Sequence, residues 1–414
     1  MKDIAVDLAS PKFKADPYPF FARLRETAPV CRVLLPGKQA AWLLTRYDDV
    51  AAALKDGRFA KDRNNALTPD QAAREPWIPK MFRPLTRNML DLDPPDHSRL
   101  RGLVHKAFTP RLVERMRARV ASLADELLDA ALRRRRMDLI RDYALPIPTT
   151  IIAEMLGVPA RDRHRFHRWS KVIVSTSPSG LAMWKAAPSV VFFLRYIRKL
   201  VRARRAEPQD DLVSALAQAE EAGDQLSEDE LLAMIFLLLV AGHETTVNLI
   251  GNGVLALLRN PAQWERLRGD PSLGKIAIEE LLRYESPLAT ATERFAREDI
   301  AIGGAVIPRG EVVFAVLASA NRDPRQFPDA DALDVAREPN RHLAFGLGIH
   351  YCLGAPLARL EGEIAIGALL RRAPRLRLAV PAECLRWRRG PVLRGLESLP
   401  VDTGERAAGP GSGF

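Results

Sequence analysis

Apolar residues recur at helical spacing through most of the chain and at strand spacing in only a few short places. The clearest helical run opens at Ser227, where Glu230 three residues on completes a capping-box pattern, and it stops at Asn260 before Pro261. About 33 residues at ~1.5 Å each predict a helix of roughly 50 Å. Its middle is apolar on nearly all sides, so it should be buried. Segment 109–136 carries Leu112, Met116, Val120, Leu123 and Leu127 at helical spacing. Shorter helices are predicted over 271–287, between two prolines, and over 356–372, ahead of Pro374. Strand-like stretches occupy 30–35 and 40–45 around Pro36-Gly37, and 300–307 and 312–317 around Pro308-Arg309-Gly310. Residues 57–95 are rich in Pro, Asn and Asp, with Trp77, Met81, Phe82 and Met89 scattered among them, and read as a long loop region with short helices. A second loop-like patch, 175–180, divides two helical stretches. The prediction is a mainly α fold with small β-sheets, one domain over 1–406, and a disordered tail at 407–414.

Composition adds exclusions. The chain has 414 residues, 47% hydrophobic and 27% charged, which fits a soluble globular protein. Its three cysteines, Cys31, Cys352 and Cys384, lie too far apart for a disulfide framework or a zinc spacing. A reducing cytoplasm suits them. The longest apolar run, 231–242, is too short to span a bilayer and meets His243 and Glu244. The N-terminus shows no signal-like segment, so no membrane anchor is expected. The net charge of +11 is mostly arginine spread along the chain, with a dense run only at 133–136, the usual mark of a solvated helix end. No basic patch interleaved with aromatics appears, which argues against nucleic acid. A positive face suits an acidic protein partner.

One stretch stands apart: Phe345-Gly346-Leu347-Gly348-Ile349-His350-Tyr351-Cys352-Leu353-Gly354. It places a cysteine in a glycine-rich turn that runs into a helix, with Pro356 where a first helical turn tolerates it. The glycines let backbone approach something flat and bulky. A thiolate there would feel the positive end of the helix and free N–H groups, which lower its pKa and suit it to a metal. The turn alone leaves an ordinary buried cysteine open. A second segment, Ala241-Gly242-His243-Glu244-Thr245-Thr246, interrupts the apolar helix. Burying Glu244 costs several kcal/mol unless it is paired or hydrated. Gly242 costs ~1 kcal/mol against alanine. A threonine can bond back to a carbonyl and bend the helix. Three unfavourable choices together suggest a functional kink. Glu280 and Arg283 share a face of the 271–287 helix. His97 and Arg101 share one at the start of another.

These motifs, in this order, resemble the cytochrome P-450 family. The full pattern Phe-x-x-Gly-x-His-x-Cys-x-Gly matches the family's haem-binding signature, from Phe345 and Gly346 through His350 to Cys352 and Gly354. The resemblance spans nearly the whole chain, from Pro17 to Val401, and implies the P-450 fold, with haem b between the long distal helix and the Cys turn. It implies that Cys352 is the axial thiolate on iron. It implies that Gly242 leaves room for O2, that Thr245 hydrogen-bonds the dioxygen and that Glu244 relays protons, with Thr246 as a substitute alcohol. Glu280 and Arg283 match the Glu-x-x-Arg motif, whose third, structural member is Arg337, with Arg341 the runner-up. His97, Arg101, Arg294 and His350 match positions that bind the haem propionates. Met89, Leu90, Leu238, Ala241, Leu288, Ala289 and Val392 are candidate lining of a hydrophobic substrate site. The implied activity is that of a soluble bacterial haem-thiolate monooxygenase that hydroxylates or epoxidises a hydrophobic small molecule, closest in feel to members that tailor polyketides, macrolides and other secondary metabolites. Alternatives are terpenoid or fatty-acid oxidation, a peroxide-driven haem-thiolate enzyme, which typically lacks the acid-alcohol pair, and a non-enzymatic haem sensor. No flavin or iron–sulfur segment is fused to the chain, so the implied electron source is a separate ferredoxin or flavodoxin with its reductase, acting on a cytoplasmic monomer.

Overall fold

The computed structural model describes residues 3–37, 39–68, 71, 88–163, 165, 168–169, 181–221 and 224–404. Trp77, Met81, Phe82, the 175–180 patch and the 407–414 tail lie outside them. The chain divides into two compact units. One comprises residues 1–59, 117–147 and 245–414; the other comprises 60–116 and 148–244.

The first unit carries a mixed sheet in the order Ile4–Ala5, Val30–Leu35, Gln39–Leu44, Val312–Ala315, Arg294–Ala296, Phe59–Ala60. The expected hairpin pairs Val30 with Leu44 and Leu35 with Gln39. Period-2 alternation sends Trp42, Leu44 and Val313 to one face, where they pack with Phe59, Ile300 and Ile307. Cys31, Ala41, Leu43 and Phe314 face the other way, against Phe21 and Leu24. Burial there pushes the Cys31 thiol up to about 11, so it is an inert core residue.

The second predicted strand pair differs. Residues 300–307 do not pair with 312–317. They fold on themselves, Ile300–Ile302 against Ala305–Ile307, around Gly303 and Gly304 at φ +54° and +80°. A Gly-Gly pair with both φ positive suits the tight two-residue hairpin turn, and it closes this pair before the Pro-Arg-Gly link is reached. Val312–Ala315 instead joins the large sheet, parallel to Gln39–Leu44.

Segment 109–136 also forms two helices rather than one, Pro110–Arg115 and Arg117–Arg134. The first is capped by the Thr109 hydroxyl and ends when the Met116 N–H turns back to the Val113 carbonyl, a tighter closure than an α-turn. Arg117–Arg134 packs on the last long helix, Ala355–Arg372. Arg372 bonds Asp125 and Asp129 across this pair, and the buried Tyr143 hydroxyl donates to the Ala365 carbonyl at 2.8 Å.

In the second unit, Leu181–Ala206 packs on Leu212–Gln218. The buried Arg204 guanidinium pairs with Asp211 and donates to the Gly157 carbonyl, while Asp211 caps the Ser214 N–H at 2.8 Å. Asp96–Ala107 follows a loop held by Asp93, which accepts from the Lys61 and Asp62 N–H groups and the Asn65 amide.

The long helix, Glu228–Arg259, is continuous through Gly242. Its capping box is formed in both directions: the Glu230 N–H donates to the Ser227 hydroxyl at 3.3 Å, and the Ser227 N–H donates to the Glu230 carboxylate at 2.9 Å. It is long and apolar enough to cross a membrane, but most of that apolar stretch is buried by the protein itself, as in the core helix of a folded domain. The predicted helix over 271–287 starts with a 3-10 turn, Pro271–Leu273, and then runs as Gly274–Tyr284.

Candidate active site

The cysteine turn is shaped by its own backbone. The Cys352 N–H donates to the Phe345 carbonyl at 2.9 Å, and the Tyr351 N–H to the Gly348 carbonyl at 3.1 Å. Gly346 and Gly348 sit at φ +69° and +73°, where side chains are strained. Gly348 also lacks space, since a β-carbon there would meet the Leu54 carbonyl oxygen at 2.8 Å. Ala355–Arg372 starts three residues after Cys352, with Pro356 in its first turn. Cys352 itself is exposed.

In the middle of the long helix, burial is interrupted. Ala241 is exposed, and Gly242, Glu244 and Thr245 are half-exposed, within a run that is otherwise largely buried. His243 turns inward and its Nδ1–H donates to the Leu239 carbonyl at 2.8 Å. A β-carbon on Gly242 would make only ordinary van der Waals contact with Ile152, at 3.4 Å, so packing on that side does not by itself demand glycine.

Glu280 and Arg283 are wholly buried and paired through two contacts of 2.7 and 2.8 Å. Arg337 reaches Glu280 at 3.2 Å, and Asn340 and the Asp334 N–H complete that carboxylate's shell. Arg283 spends its other donors on the Asn321, Ala330 and Ala332 carbonyls. Arg341, the alternative third member, is exposed; its carbonyl accepts the Tyr47 hydroxyl. A buried pair satisfied this completely holds chain segments together and has no free valence for chemistry.

The remaining sequence-derived candidates occupy both units. His97 is buried in the first turn of Asp96–Ala107, with Arg101 one turn on. Burial lowers its pKa, the Arg101 charge lowers it further, and Asp93 partly opposes them. Arg294 is buried in a strand, and His350 is half-buried in the cysteine turn. Met89 is buried and Leu90 half-buried, in a turn where the Leu90 N–H donates to the Asn88 side chain. Leu238 is buried. Leu288, Ala289 and Val392 are brought together: the Ala289 N–H donates to the Val392 carbonyl at 2.8 Å, and Leu288 bridges to Leu393. The 392–395 loop is pinned in turn by the long helix. Asn252 donates to the Arg394 carbonyl at 2.9 Å, and a β-carbon on Gly395 would lie 1.8 Å from the Asn248 side-chain oxygen.

The structure adds a residue that sequence reasoning missed. Glu361, in Ala355–Arg372, is 1% exposed. Burial pushes its carboxyl up to about 8, and Thr246, its polar neighbour, only partly offsets this. At strict hydrogen-bond geometry neither carboxyl oxygen has a partner. A signal was available, because Leu357, Glu361, Ala365 and Ala368 share a helix face on which an acid is out of place.

A reachable thiol on a glycine-shaped turn before a helix N-terminus, with buried histidine and arginine elsewhere in the chain, is a donor set that suits a flat, anionic iron macrocycle. Comparison with known proteins agrees. The family model "Cytochrome P450" matches residues 8–270 and 273–373. The chain is 45% identical over 393 residues to the polyketide biosynthesis cytochrome P450 PksS of Bacillus subtilis, covering 94% of this chain and 96% of that one. It is 45% identical over 384 residues to the mycinamicin IV hydroxylase/epoxidase of Micromonospora griseorubida, covering 92% and 94%. The solved structure of PksS superposes with a TM-score of 0.90 at 43% identity, over 97% of this chain and all of that one. The mainly helical architecture with small sheets is therefore the P450 fold, its cofactor is haem held through a cysteine thiolate, and the chain belongs to the cytochrome P450 family of monooxygenases.

Proposed function

We propose that this monooxygenase hydroxylates or epoxidises a hydrophobic secondary metabolite of the polyketide or macrolide kind. Its relatives support the substrate class: one is named for polyketide biosynthesis, another as a mycinamicin hydroxylase/epoxidase. The observation that carries the oxygen-activating reading is the half-exposed polar step Glu244–Thr245 in a largely buried apolar helix, on a chain that also presents an exposed Cys352.

Haem held by Cys352 supplies the two-electron activation of dioxygen that places one oxygen atom in the substrate. The chain's own residues do the rest. His97, Arg101, Arg294 and His350 bind the propionates. Gly242 leaves room for dioxygen beside the helix. Thr245 gives up a proton from its hydroxyl, and Glu244, next along the helix, resupplies it. The apolar set Met89, Leu90, Leu238, Ala241, Leu288, Ala289 and Val392 excludes water and holds the substrate. Glu280, Arg283 and Arg337 act structurally. Electrons come from a separate ferredoxin or flavodoxin with its reductase, to which the positive net charge offers an acidic donor a docking surface. The enzyme works as a cytoplasmic monomer.

The test is a panel of polyketides, macrolides, fatty acids and terpenoids titrated into holoprotein, scored by low-to-high spin shift and then by product formed with surrogate redox partners. Shift and product confined to fatty acids or terpenoids overturn the substrate class. Thr245→Ala should divert electrons from product to peroxide. Unchanged product per electron refutes the proton relay.

A further inference from the structure

Glu279 stands next to Glu280 on Gly274–Tyr284, and the two neighbours face different work. Glu280 holds Arg283 and Arg337. Glu279 takes the fork of Arg359, Nε to Oε1 at 2.7 Å and Nη2 to Oε2 at 2.8 Å. Arg359 lies seven residues after Cys352, at the start of the second turn of Ala355–Arg372. Its guanidinium sits 4.5 Å from the centre of the Phe345 ring, and its Nη1 donates to the Tyr351 hydroxyl at 3.2 Å. One planar cation therefore touches the residue that opens the cysteine turn and the residue immediately before the cysteine. Phe345 and Tyr351 meet edge to face at 6.3 Å, and the Phe345 carbonyl is the acceptor of the Cys352 N–H.

A second arm closes the entrance of the turn. His342 Nδ1 accepts the Ala344 N–H at 3.1 Å, which leaves the ring proton on Nε2, and Nε2 donates to Glu279 Oε2 at 3.0 Å. The carboxylate thus braces both ends of the segment 342–352. Burial alone would raise the Glu279 carboxyl, but the bonds from Arg359 and His342 outweigh it and hold it down at about 2. The side chains are about one-third exposed, at 36% for Arg359 and 28% for Glu279, so as an isolated ion pair the contact would matter little. What sets it apart is geometry: a bidentate fork fixes the guanidinium plane, and that plane is what rests on Phe345.

We propose that Arg359 is a positioning residue for Cys352, holding Phe345 and Tyr351 through its fork to Glu279 so that the turn keeps the geometry that thiolate ligation requires. This rests on the reading of Cys352 as the haem ligand. Charge alone does not suffice for the role. Lysine would keep the charge and lose both the fork and the flat face.

The experiment compares wild type, Arg359→Leu, Arg359→Lys, Glu279→Gln and Cys352→Ser as holoproteins at equal haem content. The readout is the fraction of reduced, carbon-monoxide-treated protein with the thiolate-type Soret band, and the rate at which mild urea converts it to the non-thiolate form. Arg359→Leu should lose the band several-fold faster than wild type. Arg359→Lys should rescue little, and Glu279→Gln should fall between. Should Arg359→Leu fail to take up haem, the Lys and Gln variants carry the comparison. Loss rates within twofold of wild type in all three variants overturn the brace. Absence of the band in wild type, or its persistence in Cys352→Ser, overturns the ligand assignment instead.

Discussion

Replacing Glu361 with glutamine should uncouple folding stability from pH in one window. A free glutamate titrates near 4.5, and burial moves Glu361 to about 8. Between those values the folded chain keeps a proton that the unfolded chain has released. Stability changes with pH as the unfolded state's bound protons minus the folded state's, here zero minus one, so it falls as pH rises. The loss is about 1.4 kcal/mol per pH unit, on the order of 4–5 kcal/mol across the window, and it levels off above about 8. The contribution is fully present below about 4.5. Glutamine keeps the shape and neutrality of the protonated acid and has no such slope. The measurement is the urea midpoint of both holoproteins, followed by circular dichroism at half-unit steps from pH 5 to 9. Haem loss and the titration of other groups are common to both and cancel in the difference. Glu361→Gln should gain on wild type steadily and exceed it by several kcal/mol at pH 8.5. Parallel curves would mean that water or a counter-charge reaches the carboxyl, and the argument from burial would fail.

Other substitutions probe the frame. Glu280→Gln strands the buried Arg283 charge and should cost about 3–5 kcal/mol, read as a lower thermal midpoint without a changed spectrum in whatever folds. Gly346→Ala and Gly348→Ala share a positive φ, but only position 348 also faces the Leu54 oxygen. The first should cost about 1 kcal/mol and the second clearly more, measured as a difference in urea midpoint; equal costs would refute the crowding. Ser227→Ala removes half of the capping box and should cost about 1 kcal/mol, with no effect on the Soret band.

Where local chemistry decides structure, the sequence was readable. Ser227, Glu230 and Pro261 bound the long helix to within a residue, because caps and prolines act on the backbone beside them. The cysteine turn was legible for the same reason. The 300–307 segment was misread because its apolar run hid a two-glycine turn whose meaning depends on backbone angles. The break at Met116 carries no proline or glycine to announce it. Arg337 over Arg341 followed from the resemblance and could not come from spacing alone, since both follow the same loop. Glu361 and the pair Glu279–Arg359 were missed because each depends on residues from helices far apart in sequence. In the sequence, Glu279 is merely the neighbour of a motif residue.

Asn248 and Asn252 give the loop at 392–395 an unusual freedom. The loop's backbone is fastened from the helix side, by a carbonyl bond and by a contact that leaves position 395 no room beyond hydrogen. Val392 projects from a track whose course does not depend on it. Selection can therefore vary the side chain at 392 without renegotiating the path of the chain, while 395 stays fixed. Diversification among descendants of this enzyme should accordingly be lopsided over four residues, permissive at one end and frozen at the other.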